Sequence, residues 1–161
     1  MHSLARLLFF IVVIFFGLLL VGVWLTWTAE HSTNQKLFLA GTVPQPAPEG
    51  FYNGTIGGQP VSWLGKKFYA DSASGINLFD DGGRMSTERQ PFKTYYGNGL
   101  RDKNLNVLVL DYDIPENPFW LRYIRDEIVQ VAPNQYLGKL HLRVIGFPFT
   151  LGYFELEVNE D

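Results

Sequence analysis

The 161-residue chain has no cysteine. That absence removes disulfides, thiolate zinc sites, thiol catalysis and a lipoprotein-type anchor. Basic tracts are missing as well: 13 Lys and Arg stand against 16 Asp and Glu, a net charge of −3. A nucleic-acid footprint needs the opposite bias, so no nucleic-acid partner is expected. Histidine is scarce. Only His141 lies beyond residue 31, and there is no HExxH or other histidine cluster, so no metal is expected. No Gly-x-Ser-x-Gly elbow, Walker loop or dinucleotide fingerprint occurs, and no cofactor is expected. Gly97-Asn98-Gly99 runs into Leu-Arg-Asp, which breaks a phosphate-binding pattern.

What the sequence does have is a long apolar run. Residues 7–29 carry no charge, and residues 7–26 are almost all Leu, Phe, Ile and Val. A helix of that length spans roughly 30 Å, the hydrocarbon thickness of a bilayer. A cleaved signal peptide wants small residues at both positions that define the cut. The nearest candidate cut, after Ala29, has Trp27 where a small residue is needed. Residues 1–29 are therefore expected to be an uncleaved signal-anchor. Trp24 and Trp27 sit at its far end, where indoles favour the membrane interface. Arg6 and the α-amine precede the run, and Glu30 precedes the first downstream cation, Lys36. The positive-inside bias then leaves the N-terminus in the cytoplasm and the bulk of the chain outside, in the periplasm of a bacterium. Gly17 and Gly22 are five apart rather than four, so no helix dimer is read from them.

Residues 30–50 read as a stalk and spacer. Pro44, Pro46 and Pro48 alternate within 43–50, which favours an extended polyproline segment. Residues 51–161 are one domain's worth of chain and read as strands and turns. Segments 61–69, 92–96, 105–114, 126–131, 136–145 and 149–158 are expected strands, with turns at 80–83, 97–99 and Pro133-Asn134. A short helix is expected within 117–124. Aromatics make up 16% of the chain and favour strands and large cores. Seven or eight strands at this spacing suggest a closed or nearly closed antiparallel β-barrel.

The last hairpin has a preferred register. A turn around 147–149 sets His141 opposite Glu155 and Lys139 opposite Glu157. The other face then pairs Leu140 with Leu156 and Leu142 with Phe154. One face is charged and the other apolar, as a half-buried sheet requires. In this register His141 is a rung of a solvated charge ladder; its alternative role is a general base beside Glu155.

Asp111 and Asp113 lie two apart on a strand and share a face. Two such carboxylates serve acid–base work or hold a cation, and Asp126 and Glu127 add acid nearby. Alternatively they pair with Arg122 or Arg125 where the strand leaves the core at Pro115. Asp80-Asp81-Gly82-Gly83 lacks the alternating spacing of a calcium loop and reads as a hairpin turn. Trp63-Leu64-Gly65-Lys66 is echoed by Tyr136-Leu137-Gly138-Lys139, and glycine within a strand marks a close approach or a bend.

At Trp63-Leu64-Gly65-Lys66-Lys67-Phe68 the chain resembles the bacterial GXWXG-type families, which carry a W-x-G-K-x-F stretch. The later Asp111-Tyr112-Asp113-Ile114-Pro115, Arg122, Asp126-Glu127 and Leu137-Gly138-Lys139 are similar to their second half. Val61 stands where those proteins have their first glycine, and the anchor and proline spacer lie outside their pattern. The resemblance covers residue 51 to about 158 and implies a lipocalin-like, calycin-type barrel. It implies that Trp63, beside Gly65, closes one end of the barrel, with Arg122 or Arg125 as stacking partner. It lends no activity.

Three functions compete. The first is a membrane-tethered, lipocalin-like barrel that binds a hydrophobic small molecule or membrane lipid. Its pocket candidates are Tyr95, Leu108, Leu110, Tyr112, Leu140, Leu142, Phe154 and Leu156, and the Phe147-Pro148-Phe149 tip either dips into the bilayer, guards the mouth or packs as a turn. The second is an accessory subunit whose helix docks with a membrane-protein partner. The third is an enzyme on a lipid-like substrate, using Asp111 or Asp113 with Arg122 or Tyr112.

Overall fold

The computed structural model describes residues 2–82, 86–144 and 147–158. It begins with α1 (His2–Glu30), a continuous helix without proline that is apolar on every side. It is long and apolar enough to cross a membrane, and its side chains from Leu4 to Val23 are largely exposed. After a two-residue break comes α2 (Thr33–Ala40). Ser32 caps it, the hydroxyl accepting from the Gln35 N–H, and Gly41 ends it.

Eight antiparallel strands follow: β1 (Gly50–Thr55), β2 (Trp63–Tyr69), β3 (Ser74–Asp80), β4 (Ser86–Asn98), β5 (Asn106–Asp111), β6 (Ile124–Ala132), β7 (Gln135–Val144) and β8 (Phe147–Glu157). Each pairs with its predecessor, and β8 returns to β1 through Asn53–Glu157, Gly54–Leu156 and Thr55–Glu155. The sheet is a closed up-and-down barrel, which leaves no unpaired edge. The chain is thus mainly β, an antiparallel barrel preceded by one N-terminal apolar helix, as its sequence predicts. The reading had no separate place for β1 and β3. Gly, Asn and Ser dilute their strand propensity, and their neighbours in the barrel supply the ladder. The expected helix in 117–124 is a single 3₁₀ turn, Leu121–Tyr123. Ile145, Gly146 and Gly83, expected in strand or turn, lie outside the described residues.

The interior is dominated by rings. Tyr136, Tyr52, Phe68, Phe92 and Tyr112 form a chain of edge-to-face contacts with centroids 5.2–5.7 Å apart. Leu108, Leu110, Ile128, Phe154 and Leu156 fill the space around them. Such contacts add about 0.5–1.5 kcal/mol each beyond the area they bury.

The outer face corrects the hairpin. Lys139 stands opposite Tyr153 and His141 opposite Thr150, because β8 begins at Phe147 rather than after a turn centred there. The offset over most of the ladder is even, so Leu140, Phe154 and Leu156 keep the face assigned to them. The charged face, however, is not solvated. Lys139 and His141 are fully buried, as is Glu127. Their cover is α2, the end of α1 and the β4–β5 loop. Phe38 of α2 packs with Val107, Val109, Val129 and Leu137. Lys139 Nζ donates to Gln35 Oε1 and Asp102 Oδ2, both at 2.8 Å. His141 Nε2 lies 3.3 Å from Glu127, not beside Glu155, which instead accepts from Thr55.

Residues 30–50, expected as a stalk and extended spacer, are therefore laid along the barrel. Thr42 bridges to Gln130, and the Pro44 carbonyl accepts from the Tyr96 hydroxyl at 2.9 Å. The repeated Gly-Lys motif has two meanings. Lys66 is enclosed by the barrel and Lys139 lies on its outside. Gly138 makes room for Phe154, whose ring a Cβ would meet at 2.1 Å, whereas Gly65, at φ +135°, meets the β1 backbone.

Glu127 makes the buried outer layer sensitive to acid. Burial alone pushes its carboxyl up. The hydrogen bond and charge of His141, the Arg125 charge and the Leu100 N–H outweigh that and hold it below its ordinary 4.5. The stabilisation is complete above the unfolded-state value and disappears as pH falls through the lower folded-state value. In urea unfolding of the full chain in micelles, Glu127→Gln should cost most near neutral pH. The gap to wild type should close in acid, below the ordinary carboxyl range.

Candidate functional site at one end of the barrel

The β1–β2, β3–β4, β5–β6 and β7–β8 connections share one end of the barrel. There the ring-filled core gives way to a cavity of about 280 Å³. Its walls are largely apolar, including Phe79, Leu121, Ile124, Leu140 and Phe154, with Ile56 and Trp120 exposed at the rim. The 112–123 connection is pinned across this end by buried Asn117, whose Nδ2 donates to the carbonyls of Pro91 and Tyr112.

A polar cluster is set into the apolar wall. Lys66 Nζ donates to Tyr112 Oη at 2.6 Å, Asn77 Oδ1 at 2.8 Å and Asp126 Oδ2 at 2.9 Å. All three ammonium protons are thereby used. Tyr112 Oη donates on to Asp126 Oδ2, and Trp63 Nε1 donates to Asn77 Oδ1. The ammonium also sits 5.0–5.3 Å from the ring centres of Trp63, Phe92, Tyr112 and Phe154. Burial draws Lys66 below its ordinary range, with Asp126 opposing. Burial, then the Asp126 charge, pushes the Tyr112 phenol well up, so it remains a neutral relay of hydrogen bonds.

Local irregularities deliver these side chains. The β2–β3 register shifts between Trp63 and Gly65, and the β3–β4 register between Gly75 and Asn77. Gln90 stands at φ 60° with its carbonyl accepting from Asn77 Nδ2. Such irregularities re-aim side chains and concentrate beside functional sites. One atom is left over: Asp126 belongs to the cavity lining, and its Oδ1 is buried without a hydrogen-bond partner. The cluster can therefore accept one more hydrogen bond, from a hydroxyl, amide or ammonium group, while the walls take an apolar body.

Of the pocket residues expected from sequence, Tyr112, Leu140 and Phe154 line this cavity. Leu108, Leu110 and Leu156 are in the packed core, and Leu142 is half-buried opposite Phe149, outside the lining. Tyr95 is on the outside, donating to Asp111. Asp111 and Asp113 form no acid pair facing a cavity. Asp111 takes Arg143 and Asp113 takes Arg122 at the surface. Arg125 pairs with Glu127. The cation beside Trp63 is thus Lys66, not Arg122 or Arg125, and Trp63 packs edge-on against Phe154 with its far rim over Gly54. No group of three or more metal-ligating side chains occurs among the described residues.

The sequence reading missed Lys66 and Asn77, and took Asp126 only as an acid near Asp111 and Asp113 rather than as the partner of Lys66. A signal existed for two of them: Lys66 shares strand parity with Phe68, and Asp126 with Ile128. No protein family profile, curated protein or solved structure matches the chain.

Removing one partner strands the other's charge in the barrel, which typically costs about 3–5 kcal/mol. Lys66→Met alone should show a loss of that size in urea unfolding. Lys66→Met with Asp126→Leu should recover most of it.

Proposed function

We propose that this protein is a membrane-anchored barrel that holds a small amphipathic molecule, or one end of a lipid, in its end cavity. One observation carries the reading: a largely apolar cavity whose lining includes Asp126, a buried carboxylate with one oxygen, Oδ1, lacking a hydrogen-bond partner. An unpaired buried acceptor costs about 1–3 kcal/mol, and a ligand donor would remove that cost. The volume is near the lower end of small-molecule sites, roughly 300–1,000 Å³. It suits a fragment of a larger molecule whose remainder projects from the mouth.

The anchor reading is supported by the end of α1. Thr26 and Ala29 are buried, Thr26 Oγ1 accepts from the Thr150 N–H at 3.0 Å, and Glu30 pairs with Arg101. Cleavage after Ala29 would detach part of this packing. Arg6 ahead of the helix favours a cytoplasmic N-terminus and an extracytoplasmic barrel. A second reading, an accessory subunit of a membrane complex, is favoured by how much of the interior is filled with rings.

Native mass spectrometry of the full chain, released from its own membrane in mild detergent, tests the proposal. Wild type should carry a small molecule that Leu140→Trp, which fills the cavity from its wall, loses. Repeatedly empty wild-type protein would overturn the proposal, and a co-purifying membrane protein with an empty barrel would favour the second reading.

A further inference from the structure

The N-terminal segment runs over the barrel in one direction. Gly22 lies against the Phe149 ring, and Thr26 is bonded to Thr150. Further along, Gln35 meets Lys139 and Tyr153, Phe38 meets Tyr153, and Thr42 bridges to Gln130. The contacts therefore move steadily from the β7–β8 connection toward the β6–β7 turn. Traced backwards, the chain before Gly22 leaves past the β7–β8 connection, at the same end as the cavity mouth.

That end also carries large exposed apolar side chains. Ile56, Val61, Phe119, Trp120, Tyr123 and Phe147 are all exposed there, Phe119 at 76% and Phe147 at 70%. The opposite end shows Asp71, Ser72 and Asn134 to solvent, and the exposed apolar side chains Val131 and Val158 there are smaller and less exposed than Phe119 and Phe147. The depth of the rim follows from the helix. Gly22 is one turn, about 6 Å, before Thr26, the last residue of the apolar run. The Phe149 segment therefore stands level with Trp24 and Trp27, both exposed and placed as interfacial anchors. Charges share this end, including the Asp113–Arg122 and Asp81–Arg89 pairs and exposed Glu116. Burying them in hydrocarbon would be costly, which limits the rim to headgroup depth.

We propose that the open end of the barrel rests on the bilayer, its aromatic rim seated among the lipid headgroups, so that the cavity is filled from the membrane rather than from bulk water. This rests on the anchor reading above and is independent of which molecule the cavity holds. It gives the exposed rim rings an apolar partner and explains why the helix is bonded to the barrel rather than joined by a free linker.

The absence of native cysteine allows a direct test. The full chain, in vesicles of phosphatidylcholine and phosphatidylglycerol, is spin-labelled at one introduced cysteine at a time: Phe119→Cys, Trp120→Cys, Phe147→Cys, Ser72→Cys or Phe10→Cys. Collision with oxygen is compared with collision with a water-soluble nickel chelate. The expected oxygen-to-nickel ratio is highest at position 10, intermediate at the three rim positions and several-fold lower at position 72. Rim values equal to position 72, with position 10 still in lipid, would overturn the proposal and leave the anchor standing. Position 10 exposed to nickel would overturn both. The rim sites are exposed, so single substitutions there leave the fold intact, and three independent positions guard against the failure of one.

Discussion

An ammonium group inside a β-barrel has no water to fall back on, and the rest of the interior is arranged around that constraint. Lys66 is enclosed by four aromatic rings, and its protons are taken by Asn77, Tyr112 and Asp126. Each acceptor is in turn held by another group: Asn77 by the Gln90 carbonyl and Trp63, Tyr112 by Asn77 and Asp126. A buried pair of this kind is weak evidence for stability, because desolvation offsets most of the attraction. Packed apolar side chains would fill the space at no greater cost. Its placement beside the cavity, with one carboxylate oxygen unsatisfied, is what supports the proposed recognition role.

A second buried ionic layer lies outside the barrel and does a different job. Lys139, Asp102, Gln35 and Tyr153 join the helical segment to the sheet, and Glu127, Arg125 and His141 continue the layer. Together with Phe38 over Val107, Val109, Val129 and Leu137, these contacts fix how α1 leaves the barrel. A tether held at several points transmits orientation, whereas a flexible linker would transmit only proximity. In the proposed arrangement the orientation and the apolar rim are linked: one would decide which end faces lipid, and the other suits that end to it.

Much of the architecture was legible in the residues. Uncharged residues 7–29 predicted the helix, and the regular turns predicted a closed sheet. Strand alternation in the last hairpin placed Phe154 and Leu156 on the inner face, where they are, and the pocket candidates Leu108, Leu110 and Tyr112 also lie inside. Alternation by itself does not reach Asn77, because register shifts at Gly65 and between Gly75 and Asn77 alter the count. It also misled for Lys139 and His141. Their outward parity was read correctly, but outward is not solvated once a helix covers that sector. Tyr95 shows the converse, an aromatic ring taken as interior whose parity, shared with Lys93, puts it outside.

Taken alone, the sequence determined the long apolar helix, the strand-rich domain and the absence of thiol chemistry, because length, periodicity and residue type are local properties. The meeting of Lys66, Asn77, Tyr112 and Asp126 was decided only by tertiary structure. They come from β2, β3, the residue just after β5, and β6, up to 60 residues apart, and barrel closure and two register shifts bring them within hydrogen-bond range. The same holds for the direction of α1, since Gly22 and Phe149 become neighbours only when both ends of the chain pack on one another.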